Sequence, residues 1–253
     1  MSPASRLQAG NTDGRAMAMP EAKSMWDDRV LFIDGEALVI DKPAGLAVHP
    51  GPKTPISLEA HLARLRFGFH RPPTLVHRLD RDTSGCLLLA RNPKSHKRLQ
   101  RAFEDGLVAK TYLAVLDGDP AGAEGEIDMP LLKISSAEAG WRVVPDPAGK
   151  SAVTRWRKLA VHDGRAAILL MPETGRTHQL RVHAASGLGI PIAGDPVYSD
   201  GPVYRDRPDY GDGRGPMLLH ALSLRLEREG KTAVEARAPL PASFAAAGFG
   251  DVG

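Results

Sequence analysis

The sequence is short of several things at once. Its 253 residues include a single cysteine, Cys86. One thiol closes no internal disulfide, and a reducing cytoplasm is the expected compartment. Lying in an apolar run, Cys86 reads as a small core residue rather than a reactive thiol. No stretch of about 18 apolar residues occurs, so no spanning helix is expected. The N-terminus has no continuous apolar segment of the secretory kind. There is no phosphate-binding P-loop and no Gly-x-Ser-x-Gly elbow. His178 and His183 have no cysteine or acid at ligand spacing, so no metal is expected.

What remains is ordinary globular material, 42% hydrophobic and 25% charged, enough for one large domain. The net charge of +3 is unevenly spread. Residues 61–110 hold eleven Lys and Arg against four acids, a local excess of +7, and leave the rest of the chain at −4. A basic patch on a balanced chain points to a polyanion partner, nucleic acid above all, although charge runs are also common on solvated helix faces.

Residues 1–27 are rich in Ser, Ala, Gly, Met and Pro without apolar period and read as a disordered tail. Arg29–Ile33 and Ala37–Asp41 read as a hairpin, followed by a Pro- and Gly-shaped loop at residues 42–51. Leu58, Leu62 and Leu65 give Ser57–Phe67 a helical spacing. Asn92-Pro93 opens a helix that runs to about Asp105, with Gly106 placed to cap it. Its inner stripe is Leu99, Ala102 and Phe103, and Lys94, Lys97, Arg98 and Arg101 lie largely opposite. Further strands are expected at 110–116, 126–132, 141–144, 154–162, 165–171, 217–226 and 232–238. A last helix is read from an N-cap at Thr177 to a stop at Gly187, with Leu180 and Ala184 inward. Residues 188–216 read as loop. Strands joined by hairpins with few helices argue for an α+β class, a mixed and mainly antiparallel β-sheet with flanking helices. Residues 28–253 are expected to form a single domain.

The chain is organised around His77-Arg78-Leu79-Asp80-Arg81-Asp82-Thr83-Ser84-Gly85, which feeds a charged loop into the apolar run at Cys86–Ala90. An Asp in such a turn commonly caps its own backbone. A carboxylate at the mouth of a rigid strand is also a well-held chemical group. Two other segments ask for the same explanation, Lys110-Thr111-Tyr112-Leu113-Ala114 and Gly175-Arg176-Thr177-His178-Gln179-Leu180-Arg181-Val182-His183. The three together resemble the RluA family of RNA pseudouridine synthases. Lys42-Pro43-Ala44-Gly45-Leu46 and Leu218-Leu219-His220-Ala221 fit it as well, and the resemblance runs from about residue 28 onward.

The resemblance implies a pseudouridine synthase fold with a central RNA-binding cleft and the isomerisation of uridine to pseudouridine within an RNA chain. It also implies that no cofactor is needed, since nothing is oxidised and no group leaves. Asp80 matches the catalytic carboxylate, which can attack the sugar, attack the base or deprotonate the sugar. Arg181 matches the guanidinium that pairs with it. Tyr112 matches the aromatic that packs on the target base. Arg78 matches the residue that fills the gap left by a flipped base. His77 is expected to organise the loop. Together with Arg81, Arg176 and the helix cations Lys97, Arg98 and Arg101, it is placed on the RNA-binding side. Many family members carry an N-terminal RNA-binding domain of the S4 type. Here fewer than 30 residues precede the core, which resembles the short branch acting on rRNA or tRNA. The expected protein is a monomeric, cytoplasmic enzyme. The rival is an RNA-binding assembly factor that keeps the fold without turnover.

Overall fold

A computed structural model describes residues 25–51, 54, 56–136, 140–199 and 215–252. The elements run β1 (Val30–Ile33), β2 (Ala37–Lys42), β3 (Thr74–Leu75), β4 (Ser84–Ala90), α1 (Pro93–Glu104), β5 (Ala109–Leu116), β6 (Glu124–Asp128), β7 (Leu131–Ser136) and β8 (Gly140–Pro145). Then follow β9 (Val153–His162), β10 (Arg165–Pro172), α2 (Gln179–Val182), β11 (Leu219–Arg228), β12 (Lys231–Arg237) and α3 (Ala242–Ala246).

Ten of the strands form one sheet, in the order β1-β2-β4-β11-β5-β10-β9-β6, with β3 added to β4 and β12 to β11. Every described pairing in it is antiparallel except β4 with β11, so the sheet is mixed as expected. The hairpin β7–β8 stands apart as a two-stranded ribbon. Side chains along β5 alternate between two cores, as period-2 geometry requires. Leu113 and Val115 join Phe244 and Phe249 on one face, whereas Ala114 and Leu116 join Ile168, Leu170 and Leu180 on the other. Tyr112 shares the second face.

Helix α1 forms for the reasons its sequence advertises. The Asn92 side chain accepts from Ser95 N–H at 2.9 Å, the Ser95 hydroxyl accepts from Asn92 N–H at 3.3 Å, and Pro93 opens the first turn. Its end is a Schellman closure, in which Leu107 N–H reaches Ala102 O at 2.9 Å past Gly106, whose φ is +71°. Leu99 and Ala102 are buried against β4 and its neighbours.

Four expectations need correction. The tail does not extend to residue 27. Residues 1–24 lie outside the described region, but Trp26 is wholly buried in the first core, and Asp27–Arg29 form a 3₁₀ turn beside it. The strand expected at 126–132 is two strands, β6 and β7, because Pro130 has no N–H to continue a ladder. The helix expected at 57–67 is a 3₁₀ helix over Leu58–Leu65. Thr177 does not cap α2. His178 occupies that position with φ 53° in the left-handed region, and the helix loosens into a π-turn at His183–Gly187.

Candidate active site

One lateral row of the sheet sets out the site. Gly85 of β4 is level with Ala221 of β11, Ala221 with Tyr112 of β5, and Tyr112 with Leu170 of β10. The loop ending at Gly85 therefore lies beside Tyr112, and the chain leaving β10 two residues after Leu170 leads straight to α2. Gly85 makes this row possible. Its φ is +103°, and a Cβ there would stand 2.3 Å from the Ala221 carbonyl oxygen.

The three sequence segments line one cavity of about 450 Å³, with Arg78, Asp80, Tyr112, Arg176, His178 and Arg181 among its walls. Arg181 donates from Nη1 to Asp80 Oδ2 at 3.2 Å, across 101 positions of chain. Its other edge is committed elsewhere. Nε and Nη2 give Asp195 two hydrogen bonds, at 2.7 and 2.8 Å. The carboxylate of Asp195 is fully buried and also accepts from the N–H groups of Val197 and Tyr198. Burial alone would push Asp195 up; the hydrogen bonds and charge of Arg181 outweigh it and hold the carboxyl below its usual range. Burial likewise opposes the charge on Arg181, but the Asp195 hydrogen bonds and charge, joined by Asp80, raise its pKa. A guanidinium so clamped presents one edge to Asp80 and fixes where that carboxylate points. The Tyr198 ring packs against the same guanidinium, 5.1 Å from its carbon to the ring centre.

Tyr112 is half-buried in the cavity wall. Burial, with the Asp80 charge added, raises its phenol above the ordinary value, so it is neutral at physiological pH. His77 lies under the loop rather than in the chemistry. Its Nε2 accepts from Leu88 N–H at 2.9 Å, and its ring stacks on Phe103 with centres 4.2 Å apart. Burial and the neighbouring Lys110 charge pull it down to about 3, so it is a neutral acceptor. Lys42 is the other organiser. Its buried ammonium donates to the carbonyls of Pro43, Leu46 and Arg81 at 2.8, 2.8 and 3.0 Å, tying the loop after β2 to the loop carrying Asp80.

The basic residues divide. Arg78 and Arg176 line the cavity, joined by Lys110, which the sequence reading did not single out. Arg81 pairs with Asp82 beside the cavity. Lys97, Arg98 and Arg101 are exposed on α1 and do not line it. Arg98 is ion-paired with Glu36, and Arg101 lies 3.4 Å from Asp105. His178 and His183 turn to different partners, Tyr198 and Thr154. Among the described residues no group of three or more His, Cys, Asp or Glu could hold a metal ion. Asp195 and Tyr198 were missed altogether. The available signal was a lone acid following Ile192-Ala193-Gly194, a place where a carboxylate is buried only with a cation.

The chain is similar to known proteins over most of its length. A family model described as RNA pseudouridylate synthase matches residues 36–186. An uncharacterised RNA pseudouridine synthase of Zymomonas mobilis subsp. mobilis is 57% identical over 221 residues, 87% of this chain and 97% of that protein. The ribosomal large subunit pseudouridine synthase D of the same organism is 38% identical over 176 residues, 67% of this chain and 55% of that one. Among solved structures, human RNA pseudouridylate synthase domain containing 4 superposes with a TM-score of 0.72 at 28% identity, over 87% of this chain and 91% of that one.

Proposed function

The chain belongs to the RNA pseudouridylate synthase family and is an RNA pseudouridine synthase, an isomerase, and from that premise we propose that Asp80 is the carboxylate on which its reaction turns. The reaction breaks the N1–C1′ bond of a uridine, turns the base and joins C5 to C1′. The C5 proton leaves and N1 gains one, so the product is an isomer and the step is redox-neutral. No cofactor is called on. In this reading Asp80 engages the sugar or the base, Arg181 orients it, and the neutral Tyr112 gives the uracil a face to lie on and a hydroxyl near C5.

The observation that carries this reading is the 3.2 Å contact between Arg181 and Asp80, held from behind by Asp195. A carboxylate aimed in this way into a basic cavity suits a single nucleotide. A volume of about 450 Å³ suits one nucleotide and not a duplex, so in this reading the uridine is flipped out of its stem, and Arg78 takes the vacated position. Arg176 and Lys110 meet the flanking phosphates. Lys97, Arg98 and Arg101 extend the contact beyond the cavity, with Arg98 and Arg101 exchanging Glu36 and Asp105 for phosphate. His77 and Arg81 act by shaping the loop.

We take the RNA to be structured. The name of the large-subunit relative favours ribosomal RNA as the first substrate to try, with tRNA second. The protein is proposed to act as a cytoplasmic monomer, its catalytic unit including Trp26 and the turn that follows it. No helix among the described residues is long and apolar enough to cross a membrane. The rival reading as a binding factor is not favoured, because the comparisons lead to synthases. The test is nucleoside mapping of rRNA and tRNA from a strain lacking the gene. The expected result is a pseudouridine missing from a stem-loop of one RNA and restored by purified protein. An unchanged map in both RNAs contradicts it.

A further inference from the structure

His178 is not needed to hold Arg181 or Asp80, yet it is placed with unusual care. Its backbone sits in the left-handed region at φ 53°, a conformation that a non-glycine residue adopts at a cost and that is concentrated at working sites. The tilted ring of Trp141, centred 4.9 Å away, leans on it, and the Tyr198 ring meets it edge-on at 5.6 Å.

A chain of hydrogen bonds favours one placement of the ring proton. Val143 N–H donates to the Tyr198 hydroxyl oxygen at 3.1 Å. That hydroxyl lies 2.9 Å from His178 Nδ1. With Val143 filling one acceptor position, the hydroxyl is placed to donate to Nδ1, and a neutral imidazole in that arrangement keeps its hydrogen on Nε2. Nε2 lies 3.7 Å from Asp80 Oδ2, beyond hydrogen-bond length, and that oxygen is already taken by Arg181. The result is an unspent N–H donor facing the cavity next to the reacting carboxylate.

We propose that His178 is a further catalytic residue, whose Nε2–H donates a hydrogen bond to a carbonyl oxygen of the uracil as the glycosidic bond is broken. The inference rests on the reading of Asp80 given above. All three routes open to Asp80 put negative charge on the same atoms. If the sugar is attacked or deprotonated, the N1–C1′ electron pair leaves with the ring and spreads onto its carbonyl oxygens. If the base is attacked at C6, the charge arrives at O4. A neutral donor stabilises that charge without giving up its proton, so the ring stays nucleophilic enough to return the pair through C5 to C1′. An imidazolium would quench it. The ring is kept neutral by burial and by the Arg181 charge, which pull His178 down to about 4, with Arg78 adding to them and Asp80 and Asp195 opposing.

Two measurements test this. In the wild-type protein with ¹⁵N-labelled histidine, NMR at pH 7 should show a pyridine-like Nδ1 and a pyrrole-like Nε2 for His178. The reverse pattern overturns the proposal without any variant. In kinetics, His178→Asn tolerates the left-handed backbone but lacks a donor at the Nε2 position. Its kcat should fall about 10²-fold with little change in KM. His178→Gln, which returns an N–H near that point, should recover about tenfold. Tyr198→Phe should mix the two tautomers and lower kcat. A His178→Asn enzyme within threefold of wild type sinks this inference alone, provided Asp80→Asn is inactive. An active Asp80→Asn enzyme sinks the reading of the site itself.

Discussion

Arg181 and Asp195 form a buried, two-pronged ion pair at 2.7 and 2.8 Å, and this pair decides where the remaining edge of the guanidinium points. Removing its acidic half leaves a charge in the interior with half its partners gone. Asp195→Ala should cost about 3–5 kcal/mol in chemical denaturation. Asp195→Asn keeps the shape but loses the charge. It should lower kcat about 10²-fold through misplacement of Asp80, with RNA affinity nearly unchanged. Normal turnover in Asp195→Asn would show that Arg181 needs no such clamp.

Arg78 is exposed at the rim of the cavity that holds Asp80. If it fills the gap left by the flipped uridine, its value depends on there being a gap. Arg78→Ala should therefore slow conversion of a uridine in a base-paired stem by at least about tenfold more than that of a uridine in an unpaired strand. Equal losses on both substrates would assign Arg78 to phosphate contact only.

His77 gives the fold a pH dependence of known sign. Its pKa is about 3 in the folded protein against the ordinary 6.5, so between these values the unfolded chain takes up a proton that the native state refuses. The stability from this group is whole above about pH 6.5 and declines below it by about 1.4 kcal/mol per pH unit, reaching roughly 2 kcal/mol at pH 5. His220 and His178, both pulled down to about 4 mainly by burial, act in the same direction. Urea denaturation of His77→Gln should lose about that much of the difference between pH 7 and pH 5. An unaltered difference would mean that His77 accepts its proton in the folded state.

Gly85 is where the loop carrying Asp80 becomes strand β4. With φ +103° and the Ala221 carbonyl 2.3 Å from any added Cβ, Gly85→Ala must separate β4 from β11. A loss of about 3 kcal/mol or more is expected by denaturation, with activity falling because the row from Gly85 to Tyr112 is broken. A variant as stable as wild type would mean that β4 and β11 can part without cost.

Much of this architecture was legible because local chemistry and tertiary structure agree. The capped helix α1, the turn signals and the period-2 strands sit close to where residue types put them. Trp26 went unread because a single aromatic in a Gly-, Ser- and Met-rich stretch has no local signature, and only the packed core shows that it is filled. His178 is not legible as a cap because a left-handed histidine without a capping side-chain bond has no local signature. The site divides in the same way. Asp80, Tyr112 and Arg181 stand in motifs that resemblance could carry over. Asp195 and Tyr198 lie in a loop whose composition reads only as loop, and their meaning arises from Arg181 and His178, reached through space. The cations on α1 read in sequence as one basic patch, and Glu36, 62 residues before Arg98, is what takes that arginine up.

Asp80 is proposed to perform the chemistry and to do little else. Tritium release from RNA labelled at C5 of uridine, measured with Asp80→Asn beside a binding assay on the same RNA, tests it most directly. No release above background is expected, with affinity within about threefold of wild type. Release at a measurable fraction of the wild-type rate would contradict it.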